Sequence, residues 1–189
     1  PYLIEVIKKS QILSEQTNGN FDITVQPLWN YYYSHFILNG KSNFPDDKNL
    51  KNIKKSINWQ NVVIENNTII LKNNASITLN GIGQGWITDK VVEIINTNNI
   101  QNTLVDFGET FASGSYASKR PWNIEIKSSE GISTVLKLTN KAVATSSASG
   151  TMFEPTKKYN HIFNPKTGLS TGNFNTVSVI SNKAWLSDC

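Results

Sequence analysis

Apolar positions at the start of the chain recur at helical spacing. Leu3, Ile4, Ile7 and Leu13, flanked by Val6 and Ile12, fit one side of a 3.6-residue period, and Asn18-Gly19 supplies a stop. Phe21 to Val25 reads as extended and is broken by Pro27-Leu28-Trp29, and Tyr31 to Asn43 reads as an aromatic, irregular segment. A second short helix is predicted over 50–57. Val62-Val63-Ile64 and Thr68-Ile69-Ile70-Leu71 flank Asn66-Asn67, which predicts a hairpin.

The next block has a different rhythm. Ile77 to Leu79 predicts a short strand, Gly81-Ile82-Gly83-Gln84-Gly85 a turn, and Ile87, Val91, Ile94 and Ile95 the apolar face of a helix that keeps Asp89, Lys90 and Glu93 elsewhere. After Thr103-Leu104-Val105 almost everything reads as strand: 123–127, 134–138, 142–145, 161–163 and 177–180. The turns between them are rich in Ser, Gly, Asn and Pro. No repeat and no linker interrupts the pattern. It predicts an α+β class, a mostly antiparallel sheet with a few helices packed on one side, as a single domain over 1–189.

Composition narrows the function classes. Of 189 residues, 38% are hydrophobic and 17% charged, which is globular rather than disordered. The net charge of +4 is spread out and almost all lysine, Arg120 being the sole arginine, so specific nucleic-acid reading is not expected. The single cysteine, Cys189, is terminal and permits no internal disulfide. No apolar run reaches the roughly 18 residues of a membrane span. The chain opens on Pro1 in mid-helix pattern and stops at Ser187-Asp188-Cys189 just after a strand, so it reads as an internal fragment whose targeting signals would lie elsewhere.

The glycine-spaced turn is the first candidate for chemistry. Glycines leading into a helix let a ligand approach the backbone, where free N–H groups and the helix dipole favour phosphate. They equally serve close packing. A dinucleotide-binding βαβ unit is imitated, with Asp106 at the position of a ribose-binding carboxylate, yet Trp86 stands where the third glycine belongs and only strands follow.

Three further segments matter. Asn20-Phe21-Asp22 puts a carboxylate beside an aromatic ring, and Asp22 is either a solvated turn residue or a ligand contact. His161, in His161-Ile162-Phe163-Asn164-Pro165-Lys166-Thr167-Gly168, is either a satisfied strand residue or a general base. The hydroxyls of Thr145, Ser146 and Ser147 line either a polar pocket or a strand edge. Trp29, Tyr31, Tyr32 and Tyr33 could stack on an aromatic ligand, although core packing is the expectation.

In this order the blocks resemble the ApbE-type FAD:protein FMN transferases. They are Phe21-Asp22-Ile23-Thr24-Val25-x-Pro27-Leu28, Leu79-x-Gly81-Ile82-x-x-Gly85-x-x-x-Asp89, Leu104-Val105-Asp106-Phe107-Gly108, Ala142-Val143-Ala144-Thr145-Ser146, the His161–Gly168 block, and a strand ending Ala184-x-x-x-Asp188. The resemblance covers nearly the whole chain. It implies an ApbE-like, T-fold-like α+β domain truncated at both ends. It also implies a Mg2+-dependent enzyme that splits the FAD pyrophosphate, attaches FMN to a threonine hydroxyl of a target flavoprotein and releases AMP.

By the same resemblance the metal is held by the carbonyl of Gly81 and the carboxylate of Asp188, plus a threonine that would follow Cys189, so the chain as given is expected to be weak or inactive. Flavin and adenine contacts fall on Asn20, Phe21, Asp22, Thr78, Gln84 and Ile162, and His161 is the base. Thr78 stands where many members carry an acid, Gln84 where lysine or glutamate is common, and Asp106-Phe107-Gly108-Glu109 has one glycine where two are usual. The implied partners are FAD and flavoprotein subunits of respiratory or ion-pumping redox complexes. The implied place is the periplasm or the periplasmic face of the inner membrane, with a membrane anchor on the full-length protein. An FAD pyrophosphatase and a non-catalytic flavin-binding protein are the alternatives.

Overall fold

The computed structural model describes residues 2–44, 46–127, 131, 133–156, 158–172 and 174–189, with the backbone alone at residue 47. Two compact units emerge. One is Pro1–Leu79 with Ala148–Phe174, the other Asn80–Ser147 with Asn175–Cys189.

In the first unit, helix α1 (Tyr2–Gln16) buries Ile4, Val6, Ile7 and Leu13 together with Ser10 and Ser14. The two serines are tolerated because each hydroxyl donates to a carbonyl of its own helix, Ser10 to Val6 and Ser14 to Ser10, both at 2.9 Å. Leu3 and Ile12, read from the sequence as part of that face, are half exposed. Asn18 and Gly19 end the helix at positive φ, with the Gly19 N–H returning to the Ser14 carbonyl.

The segment 21–25 is not a strand. Asp22 caps a 3-10 turn (Ile23–Val25), and Pro27 begins rather than breaks the next element, lying in the first turn of α2 (Gln26–Tyr32), where its missing N–H costs nothing. The aromatic run then continues as a π-helical turn, Tyr33–Leu38, instead of irregular chain. Leu28, Tyr32 and Phe36, four residues apart, enter one core with Phe153 and with Leu50 of α3 (Asp47–Lys54). Trp29, Tyr31 and Tyr33 pack against this core, so the aromatic run is structural. Each fully buried side chain of this size contributes roughly 1.5–3 kcal/mol. The hairpin of β1 (Val62–Glu65) and β2 (Thr68–Leu71) forms as the sequence predicts, with Asn66 and Asn67 both at positive φ.

Two expected strands are absent. Residues 77–79 join no ladder, because the Thr78 N–H donates to the Ile23 carbonyl of the 3-10 turn at 2.8 Å. Residues 161–163 form only isolated bridges, Met152 with Asn160 and Phe163 with Ser170.

In the second unit a four-stranded antiparallel sheet runs in the order β3 (Thr103–Asp106), β4 (Thr110–Ser113), β7 (Lys141–Ser147), β8 (Thr176–Ser181). Alternation gives it two buried faces. Val105, Phe111 and Ala142 face α4 (Gly83–Thr97) and α5 (Ala184–Asp188), whose Val92 and Ala184 complete that layer. Ala112 and Val143 point the other way, onto the hairpin of β5 (Trp122–Lys127) and β6 (Ser133–Leu138). The face of α4 read in the sequence holds in part: Val91 and Ile95 pack against the core, whereas Ile87 and Ile94 are exposed and the buried residues are Gly85, Thr88 and Val92.

Because β3 turns straight back into β4 after Asp106, no βαβ unit exists and the dinucleotide fingerprint is a coincidence of spacing. Between β7 and β8 the chain leaves the sheet at Ser147 and returns at Thr176, two residues paired in register. Thr145, Ser146 and Ser147 extend β7 past its pairing with β4, which stops at Val143, so they pair with β8 alone, and Thr145 is bonded to the Ser178 hydroxyl at 2.9 Å. Among the described residues no helix is long and apolar enough to cross a membrane.

Candidate functional site

Candidate residues fall in both units, and each group has its own architecture. In the second unit the glycine turn ends in α4, and Gly85 is its third residue. The N–H of a third helical residue has no partner inside its helix. Here it donates to Oδ2 of Asp188 at 2.9 Å. The residues Ala184–Asp188, expected as the end of a strand, are instead the short helix α5. They coil because a distant carboxylate caps them: Asp89 accepts the Ala184 and Trp185 N–H groups, one on each oxygen, both at 3.0 Å. Gly85 permits this approach, since a Cβ there would lie 2.4 Å from the Ala184 carbonyl oxygen. The glycine turn thus does serve close packing, and it presents a carboxylate as well.

Burial raises the Asp188 pKa, with the Gly85 N–H pulling it the other way. Among the described residues no lysine or arginine pairs with it. A half-buried carboxylate without a counter-charge suits a cation. No three His, Cys, Asp or Glu side chains gather as a metal cluster among the described residues. A carboxylate oxygen is a donor that would fit a hard cation such as Mg2+. Gly81 lies exposed in the turn just before α4, and Gln84 rests its amide over Gly108, where a Cβ would meet Nε2 at 2.8 Å.

Glu109, not singled out from the sequence as a site residue, enters β4 and is 7% exposed. One carboxyl oxygen, Oε2, has no hydrogen-bond partner. Burial pushes its pKa from 4.5 up to about 7, helped by the charges of Asp188 and Asp106 and opposed by the Thr145 N–H. The folded state therefore binds this proton more tightly than the unfolded chain does. That contribution to stability is whole below about 4.5 and is lost as the pH rises through about 7. Glu109→Gln is expected to remove the decline. In urea unfolding with chelator, wild type should lose about 1–3 kcal/mol relative to the variant between about pH 5 and about pH 8.5.

In the first unit, His161 is partly exposed and its ring is oriented by backbone. Nδ1 lies 3.1 Å from the Thr151 carbonyl, which also accepts the His161 N–H at 3.1 Å. A carbonyl only accepts, so the neutral ring carries its proton on Nδ1 and keeps the lone pair on Nε2. Gly150 leaves room for the ring, as a Cβ there would meet Cε1 at 3.3 Å. Asn160, fully buried and also missed from the sequence, fixes the segment: its Nδ2 donates to the Thr171 carbonyl and its Oδ1 accepts the Ile162 N–H.

The turn that follows is structural. Asn164 Oδ1 accepts the N–H groups of Lys166 and Thr167, and Tyr32 donates its hydroxyl to the Gly168 carbonyl at 3.0 Å.

Asp22 is occupied by its own surroundings. Oδ1 takes the Thr24 N–H and hydroxyl at 2.7 and 2.6 Å, and Oδ2 the Trp59 N–H at 3.0 Å. Burial raises its pKa despite these bonds. It nevertheless borders a cleft of about 280 Å3 with Lys54, Trp59, Pro165 and Lys166. Asn20 is exposed and Phe21 half-buried in the turn before it, while Thr78 and Ile162 are half-buried.

The sequence profile of the ApbE family matches residues 1–189. The FAD:protein FMN transferase of Chlamydia pneumoniae is 32% identical over 189 residues, covering 94% of this chain and 57% of its own length. That of Vibrio cholerae is 27% identical over 178 residues, covering 90% and 53%. The chain therefore spans a little over half the length of these relatives. Among solved structures, the ApbE protein of Thermotoga maritima superposes with a TM-score of 0.84 at 26% identity, over 97% of this chain and 62% of that one. The apo flavinyl transferase ApbE of Pseudomonas stutzeri superposes at 0.83 and 22% identity, over 100% and 59%.

Proposed function

We propose, from the premise that this chain belongs to the ApbE family, that it works as a Mg2+-dependent FAD:protein FMN transferase. The observation that carries this reading is the 3.1 Å contact of His161 Nδ1 with the Thr151 carbonyl, which as an acceptor calls for the proton on Nδ1 and leaves Nε2 as the acceptor. Nε2 takes the proton of an acceptor threonine hydroxyl. The oxygen attacks the flavin-side phosphorus of FAD, a new phosphoester forms, the anhydride bond breaks, and AMP leaves with the electron pair. Asp188 and the Gly81 carbonyl would hold Mg2+, which when bound offsets charge building on the pyrophosphate. The head of α4, a helix of 15 residues, adds the positive end of its dipole for phosphate oxygens.

The activity of the relatives, FAD:protein FMN transferases, supports both the flavin substrate and the protein acceptor. The resemblance alone supports acceptors in respiratory or ion-pumping complexes and a reaction at the periplasmic face of the inner membrane. The test is to incubate the full-length protein with FAD, Mg2+ and a threonine-bearing acceptor domain, then follow acceptor mass and nucleotide products. FMN on the acceptor with one AMP released per transfer is expected. FMN and AMP formed at the same rate without acceptor would instead make the enzyme a pyrophosphatase, and intact FAD would make it a carrier.

A further inference from the structure

We propose that Asp89 is a positioning residue for the Asp188 carboxylate, acting through α5. Gly85, Asp89 and Val92 follow one another at four and three residues, which puts them on one stripe of α4. Each meets a different part of α5. Val92 packs with Ala184 in the core, Asp89 binds the first two N–H groups of α5, and Gly85 lets its backbone close in while donating to Asp188 at the far end. The residue before α5, Lys183, makes no side-chain cap. Asp89 therefore supplies from α4 the cap that a serine or aspartate would ordinarily supply locally.

The consequence is geometric. A five-residue helix has too few internal hydrogen bonds to hold its own register. With one end clamped by Asp89 and the other resting on Gly85, it can neither rotate nor slide, and Asp188 keeps one setting at the head of α4. The remaining α5 donors are closed internally, Leu186 and Ser187 N–H both reaching the Lys183 carbonyl at 3.2 Å. Both oxygens of the Asp89 carboxylate are engaged by α5.

This inference rests on the reading of Asp188 as a metal ligand, and the experiment separates the two. Asp89→Ala, Asp89→Asn and Asp188→Ala are made in the full-length protein. Mg2+ is titrated calorimetrically, and amide hydrogen exchange is followed across 183–188. Asp89→Ala is expected to weaken Mg2+ binding at least tenfold and to speed exchange at Ala184 and Trp185 at least tenfold. Asp89→Asn, which keeps one acceptor oxygen, should fall between. At saturating Mg2+ the KM for FAD should stay within twofold of wild type, which a general loss of structure would not allow.

Faster exchange with unchanged Mg2+ affinity would overturn the coupling and leave Asp89 as a cap only. If Asp89→Ala does not fold, wild-type Mg2+ affinity in Asp89→Asn overturns it equally. Wild-type Mg2+ binding by Asp188→Ala would instead reject the metal reading, whatever Asp89 does.

Discussion

His161→Ala is expected to abolish FMN transfer to protein, by about 10²–10⁴-fold in kcat, while FAD binding stays close to wild type. The reason is local. The ring is held through Nδ1 by a carbonyl of its own loop, so its removal deletes one acceptor atom, Nε2, without opening a core. The backbone bond from the His161 N–H to Thr151 and the Asn160 network both remain, so the loop keeps its shape. Single-turnover assays with acceptor, beside equilibrium FAD titration, check the split. Retention of full transfer by the variant would remove histidine from the chemistry and with it the reading of this loop as catalytic.

Gly85→Ala carries the second large expectation, and it combines stability with function. A Cβ at this position would lie 2.4, 2.6 and 2.7 Å from the Ala184 oxygen, the Ala184 carbonyl carbon and the Trp185 Cα. All three are backbone atoms, so no rotamer change relieves the clash and α5 must move. In an open helix the same substitution would gain about 1 kcal/mol from propensity. Overpacking of this kind costs typically about 1–3 kcal/mol, and the net is expected to be destabilising by up to about 2 kcal/mol in urea unfolding. The displaced α5 also takes Asp188 off the Gly85 N–H, so Mg2+-dependent turnover should fall at least about tenfold, the equivalent of roughly 1.4 kcal/mol. A variant that melts like wild type and turns over normally would mean that the two helices approach less closely than described.

Parts of this architecture are written plainly in the chain. α1 and the hairpin around Asn66-Asn67 follow from periodicity and turn chemistry alone, and β5 shows its inward residues as Trp122, Ile124 and Ile126 on every second position. What the sequence concealed depends on partners far along the chain. Asp22-x-Thr24 ahead of Pro27 looks like a strand meeting a breaker, yet it is a cap followed by a proline at a helix start, which local pattern cannot distinguish.

α5 had no helix signal because its cap, Asp89, stands 95 residues earlier. The face of α4 was misread in part because the residues that approach most closely are Gly85 and Thr88, invisible to a search for bulky side chains. Glu109 was read only as part of the Asp106-Phe107-Gly108-Glu109 segment, and its burial beside two other acids, with Oε2 left without a partner, comes from its place just before a sheet strand. His161 was visible as a rare residue. Its orientation was not, because that comes from a backbone carbonyl, which leaves no trace in residue identity.

The stretch that bears His161 is an excursion stapled at its base. Ser147 and Thr176 sit opposite each other in the ladder, and the Ser147 hydroxyl also donates to the Asn175 carbonyl at 2.9 Å. Exit and re-entry thus share one pair of strand ends, so lengthening the excursion adds only a slowly growing closure entropy, about 0.6 kcal/mol per doubling. Here a lineage could splice in extra residues, trim them or graft a new recognition loop while the sheet stayed unaltered. Changes of length are therefore tolerated at this junction better than anywhere the ladders are continuous.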